Sequence, residues 1–125
     1  YAGEFPGSEL ETQAYMSLVN SLSNPIACVS IHSQGEIIYW NCGQSAAGKT
    51  SAKKLANAIK EYNGYSLINT DSFTSASADW CMLVKGIPSV TVETGIGNCP
   101  LPYSSYAGIY EDIRDILLIV ANKDF

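Results

Sequence analysis

The stretch EIIYWNCGQSAAGKTSAKKLANAIKEY, residues 36–62, decides how this chain is read. It opens with a short β-rich run at residues 36–40 and turns through a segment of glycine and serine. It then enters an apolar pattern of helical spacing, in which Ala52, Leu55, Ala56 and Ile59 share one face. The spacing predicts a helix over residues 46–62, with Gly64 as its terminator. The turn itself, GQSAAGKT from Gly43 to Thr50, satisfies the phosphate-loop pattern G-x-x-x-x-G-K-[ST] at every defined position. In a working phosphate loop, backbone N–H groups would cradle a phosphate, Lys49 would reach the outer phosphates and Thr50 would hold magnesium.

The surroundings of that turn argue for a plainer role. The preceding strand ends Tyr39-Trp40-Asn41-Cys42, bulky and polar where a tightly packed central strand is expected. A second magnesium anchor needs an apolar strand ending in aspartate, and the only candidate, residues 66–71, contains Asn69 and Thr70. Gly43 and Gly48 are therefore expected to shape a helix start, with Lys49 in solvent and no nucleotide site.

Outward from this unit, strands and helices alternate. Ser8 and Glu11 form a capping-box pattern, and Leu10, Ala14, Leu18, Val19 and Leu22 recur at helical spacing, predicting a helix over residues 9–22. Asn24-Pro25 ends it, and residues 26–32 read as a buried strand. A short strand is expected at residues 66–69, a short helix at 77–84 ending at Gly86, and a β-branched, alternating strand at 89–93. The last helix is expected over residues 105–121, with Ile109, Ile113, Ile116, Leu117 and Val120 on its apolar side. This alternation implies a three-layer α/β/α fold with a mostly parallel, mixed sheet. In such sheets ligands gather beyond the carboxyl ends of strands, which directs attention to His32, the segment around Asp71, and Glu93-Thr94-Gly95.

Composition narrows the classes. The 125 residues suffice for one domain, and 46% apolar with 15% charged residues reads as globular rather than disordered. A net charge of -5 supplies no basic stripe for nucleic acid. The longest apolar run, residues 116–121, is far too short to span a membrane. The chain opens on Tyr1 rather than methionine, as a processed or trimmed product would. Its four cysteines have no C-x-x-C spacing. Cys28 is expected to be a buried small hydrophobe, whereas Cys42 and Cys99, in loops, would be free to pair in an exported protein.

Three separated segments, taken together, resemble the zinc carboxypeptidase family. HSQGEIIYW, residues 32–40, is similar to the family's His-Ser/Thr-x-Gly-x-x-x-x-Tyr/Trp segment, whose histidine is the third zinc ligand. SADW, residues 77–80, resembles the segment ending in Asp-Trp that borders the specificity pocket. GIPSVTVETG, residues 86–95, followed by Pro100-Leu101-Pro102, resembles the strand carrying the catalytic glutamate. FPGSELETQA, residues 5–14, is similar to the family's proline-and-acid approach to a helix. The likeness is greatest to the bacterial branch that cleaves γ-D-glutamyl-diaminopimelate bonds of peptidoglycan peptides.

The resemblance implies zinc as cofactor, His32 as a metal ligand and Glu93 as general base and acid. It also implies Ser33, Ala78 and Asp79 at the substrate pocket, a peptide or peptidoglycan-peptide substrate, and a secreted or cell-envelope setting. Catalytic zinc needs three protein ligands and an open position for water, and a carboxylate to move the proton. Here the pattern breaks: His32 is the only histidine, so the family's upstream His-x-x-Glu pair is absent, as are its substrate-binding arginines. The family's mobile active-site tyrosine should lie just before the Asp-Trp segment, but residues 71–78 contain Phe73 and no tyrosine. The chain is thus expected to be the carboxyl-terminal portion of a peptidase domain, inactive alone and prone to pair as a homodimer through exposed apolar edges. A non-catalytic, peptidase-like binding domain is the alternative, and a phosphate-loop protein the more distant one. On position alone, His32 and Glu93 also fit structural or solvated roles, and Asp79 and Trp80 a helix start and core packing.

Overall fold

The computed structural model describes residues 3–72 and 74–123; Phe73 lies outside the described residues. The elements follow one another as α1 (Leu10–Ser21), β1 (Cys28–His32), β2 (Ile37–Asn41), α2 (Ala46–Asn63), β3 (Ser66–Asn69), α3 (Ser77–Leu83), β4 (Ser89–Glu93), a 3-10 turn (Tyr103–Ser105), α4 (Tyr106–Ile113) and α5 (Ile116–Ala121). The sheet order is β1-β4-β2-β3. β1 runs parallel to β4 and β3 parallel to β2, while β2 meets β4 antiparallel. Two parallel pairs thus join along one antiparallel seam, giving the mixed, mostly parallel sheet of an α/β fold.

The core follows the alternation of β4. Val90 and Val92 point to one face, where with Ile38 of β2 they meet Leu55, Ala56 and Ile59 of α2 and Ile116 and Val120 of α5. Burying each of these larger side chains contributes about 1.5–3 kcal/mol. The α2 helix forms as its sequence dictates: the Ser45 hydroxyl accepts the Gly48 N–H, and Gly64 at φ 78° closes it with its N–H on the Lys60 carbonyl. Trp40 packs against the same core while the Lys53 ammonium lies 5.4 Å from its ring centroid, so an aromatic at the strand end is accommodated. On the opposite face lie α3, packed on β1 and β4, and α1 beside it. These are the three layers.

Four expectations change. The Ser8–Glu11 capping box does not form; the Ser8 hydroxyl accepts the Glu4 N–H and donates to the Glu9 carboxylate instead. Of the apolar face assigned to α1, Leu10, Leu18 and Leu22 are exposed, and the helix docks through Tyr15 and Val19. The cause is shared with β1, which is an edge strand rather than a buried one: Ile31 is 45% exposed and His32 is exposed too. Beyond β1 no described element stands for the leucines to cover. The last helix breaks at Arg114 and Asp115 into α4 and α5, leaving Leu117 and Leu118 outside while Ile116 and Val120 remain inside.

Candidate active-site cleft

The face of the sheet turned toward α3 is polar by the same alternation that makes the other face apolar. With Val90 and Val92 in the core, Ser89, Thr91 and Glu93 point the other way. They are flanked by Tyr39 of β2 and by Ser30 and His32 of β1. The Ser30 hydroxyl bonds to that of Ser77 at 2.8 Å, tying β1 to the start of α3. Thr70, Ser72, Thr74 and Ala76 line the remaining side and so close a cleft of about 430 Å³, open to solvent. His32 and Glu93 line one end of it, and Asn41, Cys42 and Asp79 line it elsewhere, with Ala78 also in the wall. Because β2 runs against β4, with Ile37 opposite Glu93 and Tyr39 opposite Thr91, Asn41 lies toward the far end of β4. Four residue steps of strand make this trough about 13 Å long. The carboxyl ends of β2 and β3, and with them Asp71, therefore lie at the opposite end from His32 and Glu93, a separation that an all-parallel sheet would not produce.

His32 and Glu93 are direct register partners, so their side chains leave the same face of adjacent strands. Thr94 locks that register: its N–H and its hydroxyl both donate to the His32 carbonyl, each at 2.9 Å. The Gly35 N–H donates to the Gly95 carbonyl at 2.7 Å, closing the next turn. Gly95 is required there twice over, by a φ of 71° and because a Cβ would stand 2.7 Å from Ile109 and Leu101 carbons. Neither the imidazole nor the Glu93 carboxylate has a hydrogen-bond or ion-pair partner among the described residues.

The other expected residues separate. Ala78 is buried at 3% exposure and forms an uncharged part of the wall. Asp79 uses its Oδ2 to accept the Thr74 N–H and hydroxyl, so it ties down the cleft-closing segment from the first turn of α3. It also faces Cys42, whose thiol pKa is raised chiefly by burial and further by this carboxylate. Ser33 is exposed and does not line the cleft; its hydroxyl lies 3.8 Å from the Cys99 sulfur. The Ser33–Gln34 and Cys99–Pro100 peptides are cis. Cys42 is buried and Cys99 exposed, both as thiols, so the pairing open to them in the sequence is not made. Cys28, expected to be buried, is half-buried because its strand is the sheet edge.

The GQSAAGKT turn is filled by its own side chains. Asn41 Oδ1 takes the Gly43 N–H, Gln44 Oε1 takes the Cys42 N–H and Ser45 Oγ takes the Gly48 N–H. Lys49 Nζ is 2.6 Å from Asp71 Oδ1, and the Thr50 hydroxyl donates back to the Ala46 carbonyl within its own helix. Gly48 is a packing glycine: a Cβ would lie 2.9 Å from Gln44 Cγ and 3.2 Å from Met82 Sδ. The Gly43 and Gly48 N–H groups and the lysine are thus engaged inside the protein, and Lys49 does not face solvent alone as expected.

Sequence reasoning passed over Asn41. It is 5% exposed; its side-chain N–H₂ donates to Asn69 and Asp71 while its oxygen holds Gly43, making it the hub between β2, β3 and the turn. A lone asparagine closing an apolar strand before Gly43 was the available signal.

Among the described residues no three His, Cys, Asp or Glu side chains stand together as a metal would need. With one histidine in the chain, these residues alone do not fit a three-ligand zinc site.

The fold is that of a zinc-carboxypeptidase-like amidase, and over the span compared the chain is similar in sequence to a bacterial peptidase. It is 30% identical over 118 residues to gamma-D-glutamyl-L-diamino acid endopeptidase 1 of Lysinibacillus sphaericus, which covers 94% of this chain and 29% of that protein. It is 28% identical over 120 residues to the uncharacterized protein YqgT of Bacillus subtilis strain 168, covering 91% of this chain and 31% of the relative. The fold matches that of murein-tripeptide amidase MpaA from Escherichia coli O157, with a TM-score of 0.61, 20% identity, and coverage of 94% of this chain and 43% of that one. No family model matches. The chain thus spans less than a third of the length of the curated relatives it matches.

Proposed function

We propose that these residues are the carboxyl-terminal part of the catalytic domain of a zinc-dependent peptidase acting on peptidoglycan-type peptides, with the cleft as its substrate site. The observation that carries this reading is the register pairing of His32 with Glu93 at one end of a polar trough, both side chains without partners in the described residues. In this reading His32 contributes one ligand, and the remaining ligands lie outside these residues. Glu93 takes a proton from the attacking water and returns it to the leaving amine, the task for which an unpaired, half-buried carboxylate is suited. Ala78 leaves the wall beside it uncharged, and Asp79 holds the cleft-closing segment. The relatives named for an endopeptidase and a murein-tripeptide amidase support hydrolysis of an amide bond.

One comparison tests the reading. The 125-residue chain and the product of the longest reading frame containing it are each given zinc and a γ-D-glutamyl-diamino acid peptide. The longer product is expected to bind zinc tightly and release the diamino acid, and the short chain to do neither. Zinc-dependent release by the short chain would overturn the incomplete site. Peptide binding without cleavage by the longer product would favour a non-catalytic binding domain.

A further inference from the structure

Away from the open end of the cleft, two thiols and a phenol converge between α1, β1 and α3. The Tyr15 hydroxyl lies 3.4 Å from the Cys28 sulfur and 3.3 Å from the Cys81 sulfur, so the two sulfurs are no further apart than those distances together. Both cysteines belong to one cluster with Val19 and Ile87, and Trp80 meets the Tyr15 ring edge-on with centroids 6.2 Å apart. Cys81 is 1% exposed, whereas Cys28, on the edge strand, is half-buried and open to a small reagent. The two other thiols have different surroundings: Cys42 packs with Ala52 and Met82, and Cys99 stands beside Ser33.

We infer that Cys28 and Cys81 form a dithiol pair that oxidises to a disulfide within the folded chain, joining the strand that carries His32 to the helix that carries Ala78 and Asp79. The oxidant is a small disulfide, RSSR. The Cys28 thiolate attacks one of its sulfurs, forming a mixed disulfide and releasing RS⁻. The Cys81 thiolate then attacks the Cys28 sulfur, closing the intramolecular bond and releasing the second RS⁻. The two protons lost from the cysteines pass to the two leaving thiolates, so two cysteine thiols are oxidised and one RSSR is reduced to two RSH. Attack in this order follows from exposure, since only Cys28 can be reached from outside. Burial raises the Cys81 thiol to about 11, so exchange is slow at neutral pH and quickens as the pH rises. The bond encloses about 53 residues, a long loop whose closure restricts the unfolded chain strongly. The pair does not depend on the peptidase reading, because it uses neither His32 nor Glu93.

The test uses the 125-residue chain under native conditions with oxidised glutathione, followed by alkylation of the remaining thiols. Cleavage after Glu11, Glu36, Lys49, Glu61, Lys85 and Glu93 places each cysteine on its own peptide. The expected product is a cross-link between the peptides of Cys28 and Cys81, with the mass loss of two hydrogens and a melting temperature higher by about 5–15 °C. A double Cys42→Ser, Cys99→Ser variant, which leaves the pair in place, is expected to give the same cross-link. Four alkylated thiols after prolonged oxidation, or a bond between Cys42 and Cys99 in the folded wild type, would overturn the inference.

Discussion

Two loops of this molecule invite opposite readings, and the structure reverses their apparent importance. The β2–α2 turn carries a complete phosphate-loop pattern, yet Asn41, Gln44 and Ser45 take the N–H groups of Gly43, Cys42 and Gly48, and Asp71 occupies its lysine. The ends of β1 and β4 carry only a histidine and a glutamate, and both side chains are left without partners among the described residues. A motif specifies residue types; whether their donors and acceptors are already satisfied is settled by what folds around them. Unspent polar groups facing a cleft are the better sign of chemistry.

The contrast can be tested from both sides. The largest effect is expected at the quiet end: in the complete protein, Glu93→Gln should lower kcat about 10²–10⁴-fold while thermal unfolding barely moves, because its carboxylate supports nothing else in the described residues. Equal loss of activity and of folded protein would instead make Glu93 structural. At the loud end, Asn41→Leu should cost about 2–3 kcal/mol in urea unfolding, since it strands the Gly43 N–H and the Asn69 oxygen. Gly48→Val should cost about 1–3 kcal/mol by crowding Gln44 and Met82, with no change in the response to nucleotide. A magnesium–ATP shift of the wild-type melting temperature would break the comparison.

The smallest effect belongs to Lys49→Met. The Lys49 ammonium holds the Asp71 carboxyl below its ordinary value of 3.8, helped by Asn41. A carboxylate depressed in the folded state stabilises above its unfolded pKa, and that contribution is lost as pH falls through the folded value. Wild type and variant should therefore differ slightly in urea midpoint near neutrality and converge in strong acid. A gap that widened on acidification would contradict the pairing.

Much of the fold was legible because periodicity and caps act locally. The α2 face, the Gly64 stop and the β4 alternation all appear as the sequence implies. What could not be read depends on partners distant in the chain. Strand order made β1 an edge and so exposed Leu10, Leu18 and Ile31; the antiparallel seam moved Asp71 away from Glu93. His32, Ala78, Asp79 and Glu93 were all singled out in advance and share one cleft, but Ser33 turns aside from it, and Asp79 serves to hold Thr74. The Tyr15, Cys28 and Cys81 cluster spans three elements and left no local signature.

The seating of His32 and Glu93 on neighbouring strands has one more consequence, visible in solvent deuterium. β4 is bonded on both sides, by β1 and β2, whereas β1 is bonded on one side only among the described residues. Amides of β4 should be among the last in the chain to exchange, and alternate amides of β1 among the first. Slow exchange appearing in β1 alone, on going from the 125 residues to the complete protein, would reveal a strand arriving on that edge, one side chain away from the histidine.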